Sequence, residues 1–308
     1  MTLKQLRYLA EIVRQGLHLS QAAEALHASQ PGVSRQIQLL EKELGVTVFQ
    51  RHRNRILGLT QAGKEILGFA QRMLRDAESV RNVGLEMKEE TRGNLVIATN
   101  HTHARYTLPR VITAFSKAYP MVRLEFWQGI PSQAFKWLDA GEVDIALGRE
   151  SEASMDNVLL LPCSKYHRIL VVPASHPLLR VSKPSLEDIA KYPIITHGFR
   201  SDGRWTFRRA FEERHLRPNI LFSSIDADVS KAYVELGLGV AILPHITFDA
   251  DRDTNLRAID LHHLFPTETM CAGINKQQFY RHYVFRFLEI LSPELTRRRV
   301  ERMLAAAS

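Results

Sequence analysis

The alternation of apolar and polar residues predicts two short helices joined by a tight turn between residues 20 and 45. Ser20 is expected to cap the first helix. The inner face of this helix consists of Ala22, Ala23 and Leu26. After a turn at residues 27–28, Ser29 is placed to cap a second helix. Pro31 falls in the first turn of that helix, where its missing N–H costs nothing.

The second helix has an apolar face and a polar face. The inward residues recur at helical spacing and are Val33, Ile37, Leu40 and Leu44. The outward side chains are of types that contact base edges and phosphates when such a helix lies in a major groove. With the residues that begin the helix, the candidate DNA-reading set is Ser29, Gln30, Pro31, Ser34, Arg35 and Gln38. Because any surface helix has a polar face, this pattern alone leaves an ordinary exposed helix as the alternative.

A basic cluster directly downstream favours the DNA-reading interpretation. The stretch after Phe49 is predicted to form a short hairpin without acidic residues. Its basic residues are Arg51, Arg53 and Arg55, with His52 between them. A solvated charge run usually mixes signs, whereas an unmixed basic hairpin fits a wing that lies along phosphates. The combined pattern predicts a DNA-binding domain at the start of the chain.

A long helix is predicted from Thr60, which can cap it. Its apolar residues recur at steps of about four and three, close to a coiled-coil seam: Ala62, Ile66, Ala70, Met73, Ala77, Val80 and Gly84. A lone helix with so narrow an apolar stripe would be marginal in water, so the pattern predicts that two subunits pair along it. Packing of the stripe against its own domain is the alternative.

Beyond a polar break at residues 89–93, short apolar strands alternate with helices. The first set has strands at 94–99, 122–127 and 143–148, and helices near 103–118 and 131–140. The second set has strands near 169–172, 194–195, 220–222 and 240–243, and a helix at 228–236. This alternation predicts parallel βαβ units in two halves. The strand 269–274 and the helix near 277–291 can return to the first half, which would give two crossovers and a cleft between two lobes.

The first sixty or so residues contain the stretches LKQLRYLAEIV, AAEALHASQPGVSRQIQLLEKELGVTVFQR and LTQAG. These stretches carry a resemblance to LysR-type transcriptional regulators. It continues in HTHARYTLPRVITAF and DADVSKAYVELGLGVAILP, which resemble the CysB-like branch of that family, concerned with cysteine biosynthesis genes. The similarity extends over essentially the whole chain.

The resemblance implies a multidomain protein. Its parts would be an N-terminal all-α winged helix-turn-helix at residues 1–59, a dimerising linker helix at 60–90, and a C-terminal α/β effector domain at 91–308. The effector domain would be periplasmic-binding-protein-like, with lobe 1 at about 91–163 and 267–308 and lobe 2 at about 164–266. The implied partners are double-stranded promoter DNA, a small anionic effector, further copies of the chain in a dimer or homotetramer, and RNA polymerase.

Charge is unevenly distributed along the 308 residues, of which 45% are hydrophobic. The net charge is +8, and residues 1–88 contribute +5 of it, from 13 Lys and Arg against 8 Asp and Glu. This asymmetry favours a polyanion partner for the first domain. There is no run of eighteen apolar residues and the N-terminus reads as an amphipathic helix, so we expect a cytoplasmic protein without a membrane partner. Cys163 and Cys271 are too few for a disulfide framework.

Candidate effector-binding residues lie where strands end, because helix N-termini there present free N–H groups. In lobe 1 they are Asn100, His101, Thr102, His103, Ser132, Gln133 and Arg149. An arginine at such an edge can pair bidentately with a sulfonate or a carboxylate. The second lobe would contribute residues 199–204, Asp202 among them, and Asp226. Each residue has a structural alternative, as a helix cap, a surface residue or one half of an ion pair.

In the CysB-like branch, threonines and a glutamine line the effector pocket. At the corresponding places this chain keeps Thr102 but has Asn100, His103, Arg149 and Asp202. We expect a small, sulfur-related anion, namely sulfate, O-acetylserine, adenylylsulfate or a sulfonate, that controls an activator of sulfur, cysteine or organosulfur utilisation genes. The added charges of both signs also suit a larger or zwitterionic ligand, and an unrelated carboxylate or an aromatic sulfonate is the alternative.

Other functional classes find little support in the sequence. The histidine pairs at 101/103 and 262/263 lack a third metal ligand at a recognisable spacing, and no C-x-x-C or G-x-S-x-G motif occurs. Gly237 and Gly239 follow a helix and lack the third glycine of a dinucleotide fingerprint. We therefore expect no enzyme activity, no cofactor and no metal. A solute-binding protein is the alternative from a different functional class, and no signal peptide is recognised in the sequence to support it.

Overall fold

The computed structural model describes residues 1–52, 55–87, 91–149, 155–197 and 206–307, which form two compact units. The first unit is the chain up to the end of its longest helix, together with residues 139–142 and 277–282. The second unit contains two five-stranded sheets. Two candidate site residues, Arg53 and Asp202, lie outside the described residues, as does the rest of the stretch 199–204.

Four helices and a two-stranded hairpin make up the first unit. They are α1 (Leu3–Arg14), α2 (Leu19–Ala25), α3 (Gln30–Leu44), β1 (Phe49–His52), β2 (Arg55–Leu59) and α4 (Gln61–Glu86). The core is formed where the apolar faces of these helices meet, with Leu6, Leu9, Ile12, Ala22, Ala23, Val33, Ile37 and Leu40 buried in it. The spacing of these residues in the sequence is the reason that the helices pack as they do.

Two local predictions for these helices are wrong. Helix α2 begins one residue before Ser20, at Leu19, and its N-cap is His18, which makes no capping side-chain hydrogen bond. Leu44, expected to point inward, is 37% exposed, because α3 ends at that residue and Gly45 turns the chain with a φ of 70°. The helical spacing of apolar residues in the sequence thus extends to Leu44, although the buried core ends before it.

Helix α4 is capped by Thr60, as predicted, through a hydrogen bond from the Gly63 amide of 2.8 Å. Two residues that the sequence assigned to a coiled-coil seam, Ile66 and Ala70, instead pack on the core of the first unit. Two later members of the predicted seam, Met73 and Val80, are exposed, and so are their apolar neighbours Phe69, Val83 and Met87. The alternative of packing on its own domain therefore holds for the first half of the seam, whereas the second half leaves an apolar stripe in solvent.

The second unit is built on two mixed sheets. The first has the strand order β4 (Val122–Gln128), β3 (Gly93–Thr99), β5 (Ile145–Arg149), β12 (Glu268–Asn275), β6 (Val158–Tyr166). The second has the order β11 (Leu256–Asp260), β7 (Arg168–Pro173), β10 (Val240–Pro244), β8 (Ile194–His197), β9 (Ile220–Ser224). The helices are α5 (Leu108–Ala118), α6 (Pro131–Ala140), α7 (Leu186–Ile189), α8 (Thr206–Glu212), α9 (Ala227–Glu235), α10 (His282–Leu291) and α11 (Arg297–Ala307). Below, lobe 1 denotes the first sheet with its helices, and lobe 2 the second.

The return of β12 to the first sheet is confirmed, since it pairs with β5 and β6. The expectation of parallel sheets is only partly right. Strands β3, β4 and β5 are parallel, as are β8, β9 and β10, but β12 is antiparallel to both of its neighbours, and so is β7. Among the described residues, no helix is long and apolar enough to cross a membrane.

A close approach at Gly63 determines how α4 joins the hairpin. A Cβ at this position would lie 2.1 Å from the carbonyl oxygen of Val48, which already accepts a hydrogen bond from the Thr60 amide at 2.9 Å. Because both partners are backbone atoms in a buried region, neither can move aside cheaply. The same helix contains Gly68, beside which a Cβ would meet nothing within 4 Å.

We predict that Gly63→Ala destabilises the first unit by about 1–3 kcal/mol through overpacking. The matched variant Gly68→Ala should stabilise it by up to about 1 kcal/mol, because alanine is the better helix former. Native-state hydrogen exchange of the α1 amides in the full-length chain measures both effects. Equal protection in the two variants would contradict the role given to Gly63.

Candidate functional site

The outward face of α3 is the candidate DNA-reading surface. Gln30, Pro31, Arg35 and Gln38 are exposed and Ser34 is half-buried. Ser29 is the N-cap, as predicted, and its hydroxyl accepts a hydrogen bond from the Gly32 amide at 3.3 Å. The first turn of α3 is thereby fixed, and its polar side chains are displayed together on one side of the helix.

The predicted wing is present as the antiparallel pair β1 and β2, in which His52 lies opposite Arg55. Glu41 of α3 anchors this hairpin, because its Oε1 accepts hydrogen bonds from the Val48 and Phe49 amides at 2.8 and 3.2 Å. A carboxylate outside the hairpin also lies near the basic cluster, since Glu41 Oε2 is 3.7 Å from the Arg51 guanidinium. The wing is thus tied to the reading helix by a carboxylate that also orients one of its arginines.

The edge where the parallel strands of lobe 1 end is the second candidate site. Thr99 and Gln128 are register partners at the ends of β3 and β4, and β5 runs parallel to β3 up to Arg149. This topology brings the predicted lobe 1 residues to one edge of the sheet: Asn100, His101, Thr102 and His103 after β3, Ser132 and Gln133 after β4, and Arg149 at the end of β5.

The residues after β3 have distinct surroundings. The side chain of Asn100 accepts a hydrogen bond from the His103 amide at 2.9 Å, so it is a cap, as its structural alternative proposed. Thr102 and His103 are 5% and 3% exposed. His101 points to lobe 2, where its Nε2 lies 3.1 Å from Asp226 Oδ2. The backbone of His103–Thr107 is a π-helix that runs directly into α5, and short π-helical segments are frequent at functional sites.

His103 is a neutral group at the centre of this edge. Burial, with a contribution from the Arg149 charge, lowers the pKa of His103 to about 4. The ring packs edge-on against Tyr166 and its Nδ1 lies 3.2 Å from the Thr107 hydroxyl. At neutral pH His103 therefore offers hydrogen bonding without positive charge.

Arg149 shares its carboxylate partner with an arginine of the other lobe. Its guanidinium donates to Glu268 Oε1 at 3.1 Å, and Arg168 donates to Glu268 Oε2 at 2.7 Å. Glu268 and Arg149 belong to lobe 1, whereas Arg168 opens the first strand of lobe 2. The three side chains together carry one net positive charge, which is a weaker attraction for an anion than two unpaired arginines would give.

Ser132 and Gln133 lie in the first turn of α6, where Ser132 is half-buried and Gln133 exposed. In lobe 2, Asp226 is the N-cap of α9 and its Oδ1 accepts a hydrogen bond from the Asp228 amide at 2.8 Å. Asp226 is therefore engaged both by its own helix and by His101 of lobe 1.

Two buried threonines were missed by the sequence interpretation. The hydroxyl oxygens of Thr99, at the end of β3, and Thr196, in β8, have no hydrogen-bond partner among the described residues. Leaving such a group unsatisfied costs about 1–3 kcal/mol. Both lie towards the carboxyl ends of parallel strands, where the candidate effector residues of lobe 1 also lie. As threonines inside apolar strands they carry no sequence signal that separates them from ordinary strand residues.

Further polar residues come together between the lobes and were also missed: Arg105, Tyr106, Asp228 and Lys231. Ligand atoms of His101, Asp226 and Asp228 lie within 4.8 Å of one another, which is close enough for a metal ion. The oxygens of Asp228 are, however, already bound by Arg105, Tyr106 and Lys231. We therefore interpret the cluster as an ion-pair network.

Two protein families match the two parts of the chain. The family described as bacterial regulatory helix-turn-helix protein, lysR family, matches residues 3–64, and the LysR substrate binding domain matches residues 88–296. The HTH-type transcriptional regulator CysB of Burkholderia cenocepacia is 42% identical over 304 residues, which cover 99% of this chain and 97% of the relative. The regulator SsuR of the same organism is 40% identical over 307 residues, covering all of both chains.

A crystal structure of the cofactor-binding domain of the Cbl transcriptional regulator has the same fold as the second unit. It is 39% identical, has a TM-score of 0.65, and covers 70% of this chain and 94% of its own. The chain belongs to the LysR family of transcriptional regulators. It is therefore a DNA-binding regulator with an effector domain of two α/β lobes, as the sequence predicted, and its relatives are regulators rather than enzymes.

The buried His103 predicts a pH dependence of stability. The folded pKa is lowered from the ordinary 6.5 to about 4, so the unfolded chain binds more protons in this window. The stability contributed by the neutral ring is present above about pH 6.5 and is lost as the pH falls towards 4, on the order of 3 kcal/mol in total.

In His103→Asn this part of the pH dependence should vanish. Urea unfolding at several pH values, followed through the fluorescence of Trp127 and Trp137 in lobe 1, measures it. Thr107→Val removes the partner of the ring but keeps the titrating group, so it should retain the wild-type slope. A His103→Asn variant as acid-sensitive as the wild type would refute the assignment.

Proposed function

We propose that this regulator reads promoter DNA with α3 and its wing, and that a small sulfur-related anion bound between the lobes controls this activity. Each successive segment of the chain has one role in this proposal: residues 1–59 bind DNA, residues 60–90 pair subunits, and residues 91–308 sense the effector. The single observation that carries the DNA part is the exposed polar face of α3 beside a basic hairpin that Glu41 fixes to it.

The roles of the individual reading residues follow from their positions. Arg35 and Gln38 on the exposed face of α3 are placed to contact base edges, together with Gln30 and Ser34. Ser29 and Pro31 shape the first turn, so we assign them to backbone positioning near phosphates. Arg51, Arg53 and Arg55 are proposed as phosphate contacts of the wing.

Support for the effector part is the convergence of polar residues at one sheet edge. The N-terminal turns after β3 and β4 and the Arg149–Glu268–Arg168 group together offer hydrogen-bond donors and one net positive charge. This suits one small anion better than a polyanion. The resemblance to the CysB-like branch suggests sulfate, O-acetylserine, adenylylsulfate or a sulfonate. Because Arg149 is shared with Glu268, an unrelated carboxylate or aromatic sulfonate remains the second candidate.

Self-association is supported by the exposed apolar stripe of α4, which a second copy of the same helix would cover. A separate apolar face lies on α9 and the turn before it, with Ile225, Val229, Tyr233 and Leu236 exposed. Two such faces would allow a dimer of dimers, in keeping with a homotetramer. Stimulation of transcription would also require contact with RNA polymerase, which we include in the proposal.

We predict that Arg35→Ala and Arg55→Ala weaken DNA binding in different ways. Arg35→Ala should lose the preference of the full-length protein for its operator over a scrambled sequence, because it removes a base contact worth about 1–3 kcal/mol. Arg55→Ala should weaken binding to both DNAs alike and reduce the slope of log K against log salt by about 0.9. Fluorescence anisotropy on a fragment selected from genomic DNA by the wild-type protein measures both.

The control is Arg14→Ala, which removes an arginine that is paired with Glu11 on α1 and lies outside α3 and the wing. It should leave affinity, preference and salt slope unchanged. If Arg35→Ala discriminates operator from scrambled DNA as well as the wild type does, α3 is not the reading helix.

A further inference from the structure

Tyr106 belongs to lobe 1 by its position in the chain and to lobe 2 by its packing. It lies in the π-helix His103–Thr107 that follows β3. Its ring packs against the buried core of lobe 2, where Phe222 and Phe248 are its partly buried companions. Its hydroxyl donates a hydrogen bond to Asp228 in the first turn of α9. One aromatic side chain thus joins the two lobes by both apolar and polar contact.

The polar end of this contact is a network of charged groups. Lys231 is 8% exposed, and its Nζ lies 2.9 Å from Asp253 Oδ1, 2.9 Å from the Thr247 carbonyl oxygen and 3.2 Å from Asp228 Oδ1. The same ammonium lies 5.3 Å from the centre of the Tyr106 ring, within cation–π range. Arg105, next to Tyr106, donates to Asp228 Oδ2 at 3.1 Å. Lobe 1 therefore supplies two of the donors to Asp228 and lobe 2 supplies the third.

The protonation states of the network fit this arrangement. Burial and the hydrogen bond to Asp228 raise the pKa of Tyr106 to about 12, so its hydroxyl stays a donor. Burial opposes the charge of Asp228, yet the hydrogen bonds from Tyr106 and Lys231 keep the pKa of this carboxyl below its usual value. If the Tyr106 side chain moved away, the partly buried Asp228 carboxylate would lose a hydrogen-bond donor. Losing a donor raises the free energy of a charged acceptor in such surroundings.

The candidate effector contacts and this anchor lie on one continuous piece of backbone. Asn100, whose side chain caps the His103 amide, and the buried Thr102 directly precede the π-helical turn that carries Tyr106. Each backbone hydrogen bond of a π-helix spans one residue more than in an α-helix. A switch between the two patterns at the start of this segment would therefore change the direction of the side chains further along. A ligand held at residues 100–103 would therefore be able to change the orientation of Tyr106 without touching it.

We propose that Tyr106 is the positioning residue that holds the two lobes in one mutual orientation, and that effector binding at residues 100–103 favours its engagement with Asp228. The second half of this proposal rests on the proposed effector function. The first half concerns the ligand-free protein and stands without it. Tyr106 is not a ligand contact; it acts through the orientation of lobe 2.

The first experiment uses full-length protein without ligand. Tyr106→Phe keeps the ring in the lobe 2 core and removes only the donor, and Asp228→Asn removes the charge that it binds. Each should speed amide hydrogen exchange in residues 103–107 and 227–231 at least tenfold. The double variant should exchange no faster than the faster single variant, Asp228→Asn, which also weakens the contacts of Arg105 and Lys231, because the Tyr106–Asp228 interaction can be lost only once. The matched control Tyr233→Phe removes a hydroxyl from the exposed side of α9 and should exchange like the wild type.

Exchange in Tyr106→Phe equal to that of the wild type, or rate increases that multiply in the double variant, would overturn the anchor. If Asp228→Asn does not fold, the comparison of Tyr106→Phe with Tyr233→Phe decides alone. These hydrogen-exchange measurements require no effector, so their outcome is independent of the proposed sensing function.

The second experiment measures calorimetric affinity for sulfate, O-acetylserine, adenylylsulfate and an alkyl sulfonate. The compound that binds the wild type should bind Tyr106→Phe at least fivefold more weakly and Tyr233→Phe equally well. Equal affinity for Tyr106→Phe and wild type would overturn the coupling. If the wild type binds none of the four, the proposed effector class fails, while the ligand-free experiment still decides the role of Tyr106.

Discussion

The two lobes of the second unit are joined covalently at only two places, after β6 and after β11, and this constraint governs what the unit can do. Each sheet packs its own core, so the covalent connections leave the mutual orientation to side-chain contacts. Glu268 supplies one such contact by binding Arg149 of lobe 1 and Arg168 of lobe 2. Tyr106 supplies another, beside the contacts of His101 with Asp226 and of Arg105 with Asp228. A sensor needs two orientations separated by a few kcal/mol, and a small number of polar contacts provides a gap of that size.

The charges at the proposed effector site favour selectivity over strong attraction. His103 is neutral because it is buried, and the positive charge of Arg149 is shared with Glu268. Recognition of an anion then depends more on hydrogen-bond geometry than on net charge, which is how a site distinguishes anions of equal charge. The hydroxyls of Thr99 and Thr196, which have no hydrogen-bond partner in the described part of the chain, extend this polar character into both lobes.

Those parts of the structure that follow local rules could be predicted from the sequence. Ser29 and Pro31 identify the start of the reading helix because capping and φ preferences act within one turn. The alternation of apolar strands with helices located the central strands of both sheets. Strand β6 was missed because Pro162 interrupts its pattern, which is tolerated since β6 is the edge of its sheet.

Contacts between distant parts of the chain could not be predicted. Tyr106 and Asp228 are 122 residues apart, and each has an ordinary local context. Lys231 offered a faint signal, as a lysine on the inward face of α9 between Ala227 and Val234. In α4, periodicity could not distinguish residues that face the core of the first unit, such as Ile66, from those left exposed, such as Val80, because both belong to one seam of regular spacing.

The central claim is that DNA reading and effector binding are thermodynamically linked in one molecule. Linkage requires that each ligand change the affinity for the other by the same factor. The direct measurement is calorimetric titration of the full-length protein with the binding anion, with and without saturating operator DNA, beside the reverse titration. We expect equal factors of about fivefold or more in the two directions. Affinities for anion and DNA that are independent of each other would contradict the account.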